Sequence, residues 1–135
     1  MSDKGETANS SCPFCSLPDE RIRGSNNLAV WIEDGYPISP GHSLIIPKRH
    51  VASLFEATEA EWLAFRELLH QAETAIKETH SPNGYNLGVN DGEAAGQTVH
   101  HLHIHLIPRN KGDKADPRGG VRCLFPEKAR YWEKV

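Results

Sequence analysis

The sequence predicts an α+β domain: an antiparallel sheet with one main helix packed on it. Three observations lead there. Two strand-like runs, 28–33 and 42–47, are joined by a stretch of turn formers. A single long amphipathic segment covers 58–79. Two more strand-like runs, 85–90 and 99–107, follow it, and a short run near the C-terminus reads as a third strand or an extended arm.

Residues 1–11, MSDKGETANSS, lack periodic apolar positions and read as a flexible tail. LAVWIE at 28–33 is the first strand, and DGYPISPG at 34–41 supplies the turn into HSLIIP at 42–47. The helix has a start signal in Thr58 and Glu61, spaced for a capping box in which side chains satisfy free amide donors. Trp62, Phe65, Leu69, Ala72 and Ile76 recur at spacings of three and four, which predicts one apolar stripe against the sheet. SPNG at 81–84 ends it, and DGEAAGQT at 91–98 is the loop between the next two strands. The domain therefore spans 12–109. Beyond Arg109 the segment NKGDKADPRGG is a polar loop, and VRCLF is a short strand or an extended arm. Residues 110–135 are expected to pack on the domain or on a partner subunit.

Composition narrows the function. At 135 residues the chain is one domain, and 38% hydrophobic with 24% charged residues describes an ordinary globular protein. A formal charge of -3 gives no electrostatic reason to bind nucleic acid or an acidic membrane, although a local phosphate site remains compatible with it. No apolar run reaches membrane-spanning length and the N-terminus has no signal-peptide core, so a cytoplasmic location is the default. Three cysteines make a disulfide framework a poor reading. Cys12 and Cys15 form a CPFC knuckle, half of a zinc site or a redox pair, and Cys123 reads as a small core residue.

The segment GQTVHHLHIHLIPR at 96–109 holds half of the eight histidines. On a strand, alternate side chains share a face, so His101, His103 and His105 point one way and Leu102, Ile104 and Leu106 the other. Neighbouring histidines in that row are separated by roughly 6.6 Å of backbone, two rises of about 3.3 Å. His100 has the opposite parity. Three readings follow: solvated polar residues, metal ligands, or covalent catalysis by an unligated imidazole.

HLHIHLI, together with NDGEAAGQTV upstream and SPGHSLIIPKRH before the helix, resembles the histidine-triad (HIT) family over about residues 12–109. GQTV-x-H-x-H-x-H-x-x-PR is similar to the fragile-histidine-triad branch, and CPFC to zinc-containing bacterial members. The resemblance implies a HIT-like fold that dimerises into a larger sheet. It also implies cleavage at the α-phosphorus of a nucleotide through a nucleotidyl-histidine intermediate. The expected substrates are dinucleoside polyphosphates or adenylate phosphoramidates and anhydrides. A nucleotidyltransferase using phosphate or a sugar phosphate, and a nucleotide-binding interaction protein with little turnover, are the alternatives.

By the same resemblance His103 is the nucleophile, and His105 and His42 contact phosphate or support the nucleophile. Gln97 and Thr98 hold the phosphate or leaving group, Asn90 lines the phosphate site, and Asp34 takes the ribose hydroxyls. Zinc-bearing relatives imply a structural zinc on Cys12, Cys15, His50 and His101. His70, His80 and His100 are given no catalytic part. Arg118, Gly119, Gly120 and Arg122 are either a cationic edge to the site or a surface loop leading into a packed arm. Tyr131 and Trp132 would reach a partner's site in a homodimer.

Overall fold

Four short strands and one longer one form a single antiparallel sheet in this computed structural model, which describes residues 11–134. Of the expected tail at 1–11, only Ser11 lies within the described residues. The strands are β1 (Ile22–Ser25), β2 (Ala29–Glu33), β3 (Ser43–Pro47), β4 (Gly84–Gly88) and β5 (Ile104–Arg109), and the helix α1 (Glu59–His80) falls between β3 and β4. Their order across the sheet is β1-β2-β3-β5-β4. His105 therefore lies on β5, held between two neighbours rather than on an edge, and His103 immediately precedes that strand.

Strand alternation divides the sheet into two buried faces. Ala29, Ile45, Leu102, Ile104 and Leu106 pack with Phe65, Leu68, Ala72 and Ile76 of α1. Val30, Ile32, Leu44 and Ile46 face the other way and are covered by Phe14, Leu17 and Ile22. Phe65 and Leu68 are almost wholly buried, and truncating a phenylalanine at such a position to alanine costs about 3–5 kcal/mol. Leu44 pairs with His105 in the β3–β5 ladder, which puts the imidazole on the face away from α1.

The capping box forms as expected. The Glu61 N–H donates to Thr58 Oγ1 at 3.1 Å, and the Thr58 N–H donates to Glu61 Oε1 at 2.9 Å. The helix stripe, however, is rotated from the expected one. Glu61, Ala64, Phe65, Leu68, Ala72 and Ile76 are buried, whereas Trp62 is half exposed and Leu69 lies at the margin. Glu61 is the reason: it is drawn inward by its cap and by Arg49, whose Nη2 donates to Glu61 Oε1 at 2.8 Å. A charged residue at that position hides the true apolar phase from a hydrophobicity pattern.

Other expectations need correction. β1 went unread because IRGS carries one aliphatic residue, and its Gly24 lies where a Cβ would sit 3.0 Å from the Trp31 ring. β5 begins at Ile104 rather than 99, since the residues before it give their hydrogen bonds elsewhere: the Leu102 N–H donates to Val51 O at 2.7 Å. VRCL lies in a 3-10 turn, Gly120–Leu124, with Phe125 just after it, so this run is not a strand. Cys123 is exposed, not core. Among the described residues no helix is long and apolar enough to cross a membrane.

Candidate active site and metal centre

The site is built from the N-terminal knuckle, the turn before β3, the residues after β3, and the run into β5. The turn works because Gly41 has φ 90° and no side chain: a Cβ there would come within 2.8 Å of the His80 ring at the end of α1. That tight passage delivers His42 beside β5.

Hydrogen bonds settle which nitrogen of each imidazole carries the proton. The Ile38 N–H points at His42 Nδ1 across 3.2 Å, so Nδ1 accepts and the neutral ring keeps its proton on Nε2. That proton is donated to His105 Nδ1 at 2.9 Å, with Asp34 Oδ2 3.3 Å from the same nitrogen. His105 then carries its own proton on Nε2. The His103 Nδ1–H donates to the main-chain carbonyl of His101 at 2.8 Å, leaving a lone pair on Nε2. The rings of His103 and His105 stand 5.3 Å apart. One lone pair and one N–H thus lie side by side.

Burial pushes the pKa of His42 and His105 below the usual imidazole value. For His105 the neighbouring His103 and His42 push the same way, and the Asp34 carboxylate opposes the shift in both rings. Both are therefore neutral at pH 7. Asp34, His42 and His105 also converge closely enough to suggest a metal shell. His42 Nε2 bears a proton in this network, however, and a protonated nitrogen has no lone pair for a metal.

A cleft of about 760 Å³ opens on this face, lined by Asp34, Tyr36, Ile38, His42, Asn90 and His105, among others. Asn90 and Asp34 thus reach the cleft together with the histidine pair. Asp34 Oδ1 accepts the Tyr36 N–H at 2.8 Å. Gln97, expected at the phosphate or leaving group, is tied into the loop before β5. It is buried, its Oε1 accepts the Gly92 N–H at 2.8 Å, and its Nε2 donates to Ala52 O and Val99 O. Both amide protons are used to brace the loop, so the phosphate contact expected of Gln97 is not among its bonds. Thr98 is exposed on that loop and His100 is exposed beside it.

The metal cluster has a donor set of another kind. The His101 Nε2–H donates to Pro47 O at 2.8 Å, so its Nδ1 lone pair faces inward. That atom lies 3.2 Å from His50 Nδ1, 3.4 Å from Cys12 Sγ and 3.5 Å from Cys15 Sγ. Cys15 Sγ and His50 Nδ1 are 3.1 Å apart, and all four donor atoms lie within 4.8 Å of one another. A tetrahedral zinc with bonds of about 2.3 Å to sulfur and about 2.0 Å to nitrogen separates its ligand atoms by about 3.3–3.8 Å. The four residues fit that ion, and neither cysteine is in a disulfide.

Two features of the site, Phe14 and Arg109, went unread in the sequence, and a third, the arm, was one of two alternatives. Phe14, between the two cysteines, stacks edge-on against His103 with ring centroids 5.1 Å apart. Arg109 lines the cleft and donates to Asn86 Oδ1 at 2.6 Å while its other nitrogens hold Asp113. The arm forms one wall of the cleft through Pro117, Gly120, Val121 and Cys123. Arg118 and Arg122, by contrast, are used within the arm. The first pairs with Asp116 and covers Trp132 at 4.4 Å, and the second covers Tyr131 at 4.9 Å. The arm is packed and its backbone edges the cleft at Gly120, while the two arginines turn to the arm's own aromatics.

Residues 18–112 match the HIT domain family model. The chain is 35% identical over 109 residues to the uncharacterized HIT-like protein MG132 of Mycoplasma genitalium, covering 78% of this chain and 77% of that protein. It is 32% identical over 117 residues to the AP-4-A phosphorylase of Mycobacterium tuberculosis, covering 82% of this chain and 60% of that protein. A zinc-bound histidine triad family protein from Mycobacterium smegmatis superposes with a TM-score of 0.68 at 34% identity, over 79% of this chain and 81% of that one. Sequence, fold and the paired imidazoles agree, and the chain belongs to the HIT domain family.

Proposed function

We propose that this chain is a nucleotide hydrolase that cleaves at the α-phosphate of dinucleoside polyphosphates, or of related phosphoramidates and anhydrides, through a covalent nucleotidyl-His103 intermediate. One observation carries the reading: His103 is held by its Nδ1–H on the His101 carbonyl, which leaves a directed lone pair on Nε2. That lone pair attacks phosphorus, and the bond from phosphorus to the leaving group breaks. The imidazole becomes cationic, and its Nδ1–H hydrogen bond to the carbonyl strengthens as it does. His105 offers its Nε2–H to a phosphate oxygen, and the leaving polyphosphate departs as an anion. Water then attacks the same phosphorus, the phosphorus–nitrogen bond breaks, its electron pair returns to Nε2, and the proton lost by water passes to solvent.

The surrounding residues suit a nucleotide. Asp34 presents carboxylate oxygens at the cleft beside His42, suited to vicinal ribose hydroxyls, and an adenine nucleotide is the expected ligand. Asn90 contributes an amide at the same cleft. The relative named for AP-4-A phosphorolysis supports this substrate class and keeps phosphate in view as an acceptor in place of water. Zinc bound to Cys12, Cys15, His50 and His101 would supply a closed structural tie, with no open position for substrate. A homodimer joined through the β4 edge is consistent with an edge strand whose Leu87 is half exposed. Residues 12–109 would carry the chemistry, 110–135 would wall the cleft, and the cytoplasm remains the expected location.

The test is incubation with labelled diadenosine polyphosphate and adenosine phosphoramidate, with and without added phosphate, for the native chain and for His103→Ala. Nucleoside monophosphate as product indicates hydrolysis, and nucleoside diphosphate formed only with phosphate indicates phosphorolysis. Nucleotide binding without turnover of either compound would sink the enzymatic reading.

A further inference from the structure

Phe14 has no part in the reaction as described, yet its ring touches both His101 of the metal cluster and the nucleophile His103. The Cys15 N–H donates to Cys12 O at 3.2 Å, which closes the knuckle as a turn with Phe14 inside it. Its ring meets His103 at 5.1 Å with planes inclined 63°, and His101 at 6.0 Å with planes inclined 89°. Behind, it packs on the cluster of Val30, Ile32, Leu44 and Ile46. Phe14 is thus clamped from three directions.

His103 needs such a neighbour. Its hydrogen bond to the His101 carbonyl fixes Nδ1 but leaves the ring free to tilt about that contact, and tilting swings Nε2 away from the phosphorus. Rate is sensitive to misplacement on this scale, because the attacking atom must meet phosphorus in line. The rings of Phe14 and His105 are both in edge contact with His103 and limit the tilt.

We infer that Phe14 is a positioning residue, which holds the His103 ring in its attacking orientation and ties that orientation to the Cys12–Cys15 knuckle. The inference rests on the nucleophilic reading of His103. An aromatic edge contact of ordinary strength corresponds to roughly a three- to tenfold preference for the held orientation.

The experiment uses the zinc-loaded chain with Phe14→Leu, Phe14→Ala and Phe14→Tyr. Zinc per chain, kcat and KM are measured separately, and the ring nitrogens of His103 are followed by NMR at constant pH. For Phe14→Leu, which keeps apolar volume on the Val30–Leu44 cluster, the expected result is full zinc content and KM within twofold. kcat should fall roughly three- to tenfold, and the His103 ring signals should shift or broaden as the ring samples other tilts, with Nδ1 still protonated on the His101 carbonyl. Phe14→Tyr should restore both readouts. An unchanged kcat, a fall in kcat that tracks loss of zinc, or unchanged His103 signals in Phe14→Leu would each overturn the inference. If Phe14→Ala does not fold, the leucine variant decides alone. Turnover that survives His103→Ala would instead sink the nucleophilic reading, while the NMR result in Phe14→Leu still reports whether Phe14 holds the ring.

Discussion

His42 donates its Nε2 proton to His105 Nδ1 across 2.9 Å, and the Asp34 carboxylate stands 3.3 Å from the donor nitrogen. The direction of that bond follows from the Ile38 amide, which occupies the other nitrogen of His42. It means that His105 meets the substrate with an N–H. It also means that the neutral pair holds no surplus proton: His105 can give its own away only by becoming an anion, which burial makes very costly.

The pair should therefore distinguish leaving groups by pH. A polyphosphate leaves as an anion and needs no proton, whereas an amine leaving group does. Both rings titrate below the usual imidazole value, pushed down by burial. Above that depressed pKa, phosphoramidate turnover should fall about tenfold per pH unit while anhydride turnover stays flat. Asp34 opposes the shift in both rings, so Asp34→Asn should move the phosphoramidate limb to lower pH. pH–rate profiles on the two substrates check this, and a shared limb for both would refute it.

How much of this was legible beforehand depends on what each residue's environment owes to the local chain. Alternation alone separated Leu102, Ile104 and Leu106 from the histidines, and these three did enter the core beside α1. The capping pair Thr58–Glu61 was legible because a cap is a contact over three residues. Cys12, Cys15, His50 and His101 were brought together by resemblance, since no local spacing joins residues 89 positions apart. The bonds Gln97 makes were hidden for a related reason: its partners Gly92 and Ala52 exist only once two loops meet. Phe14 gave no signal at all. Its role depends on a ring-to-ring approach between chain segments far apart in sequence.

One zinc ion per chain is expected on metal analysis of the purified protein. Cys12→Ser or Cys15→Ser should abolish it, because oxygen is a poorer zinc ligand than thiolate and a closed tetrahedral set has no spare member. The knuckle covers the Val30–Ile46 face through Phe14 and Leu17, so its release exposes apolar surface. A drop in Tm on the order of 10 °C is expected with zinc removal by chelator. Calorimetry with and without chelator measures it, and an unchanged Tm would mean that the cluster does not hold metal.

Gln97→Ala should act through folding of the loop rather than through phosphate. It strips the Gly92 N–H, Ala52 O and Val99 O of their partner, at a cost of about 2–3 kcal/mol. Thr98→Ala, on an exposed residue next to it, should leave Tm within a degree or two, as surface substitutions do. If Gln97→Ala kept full stability and lost only kcat, the amide would belong to the reaction after all.

Arg49 and Glu61 carry the last prediction, because they fix the turn that presents His50. Arg49 Nε and Nη2 donate to the two carboxylate oxygens of Glu61 at 3.1 and 2.8 Å, and Nη2 also donates to Glu56 O. Glu61 is 3% exposed, and the Arg49 hydrogen bonds hold its carboxyl below the usual glutamate value. Arg49→Met would leave that carboxylate buried with only its cap, and should destabilise the chain by about 2–4 kcal/mol at pH 7. The sign of the pH dependence follows from the lowered pKa. The stabilisation is complete above the unfolded value near 4.5 and is lost as pH falls through the lower folded value. The gap between native and Arg49→Met should therefore be widest at neutral pH and close below pH 4.5. Denaturant melts of both proteins across that range measure it. A gap that stayed constant with pH would show that Arg49 stabilises through packing of its stem, not through the charge on Glu61.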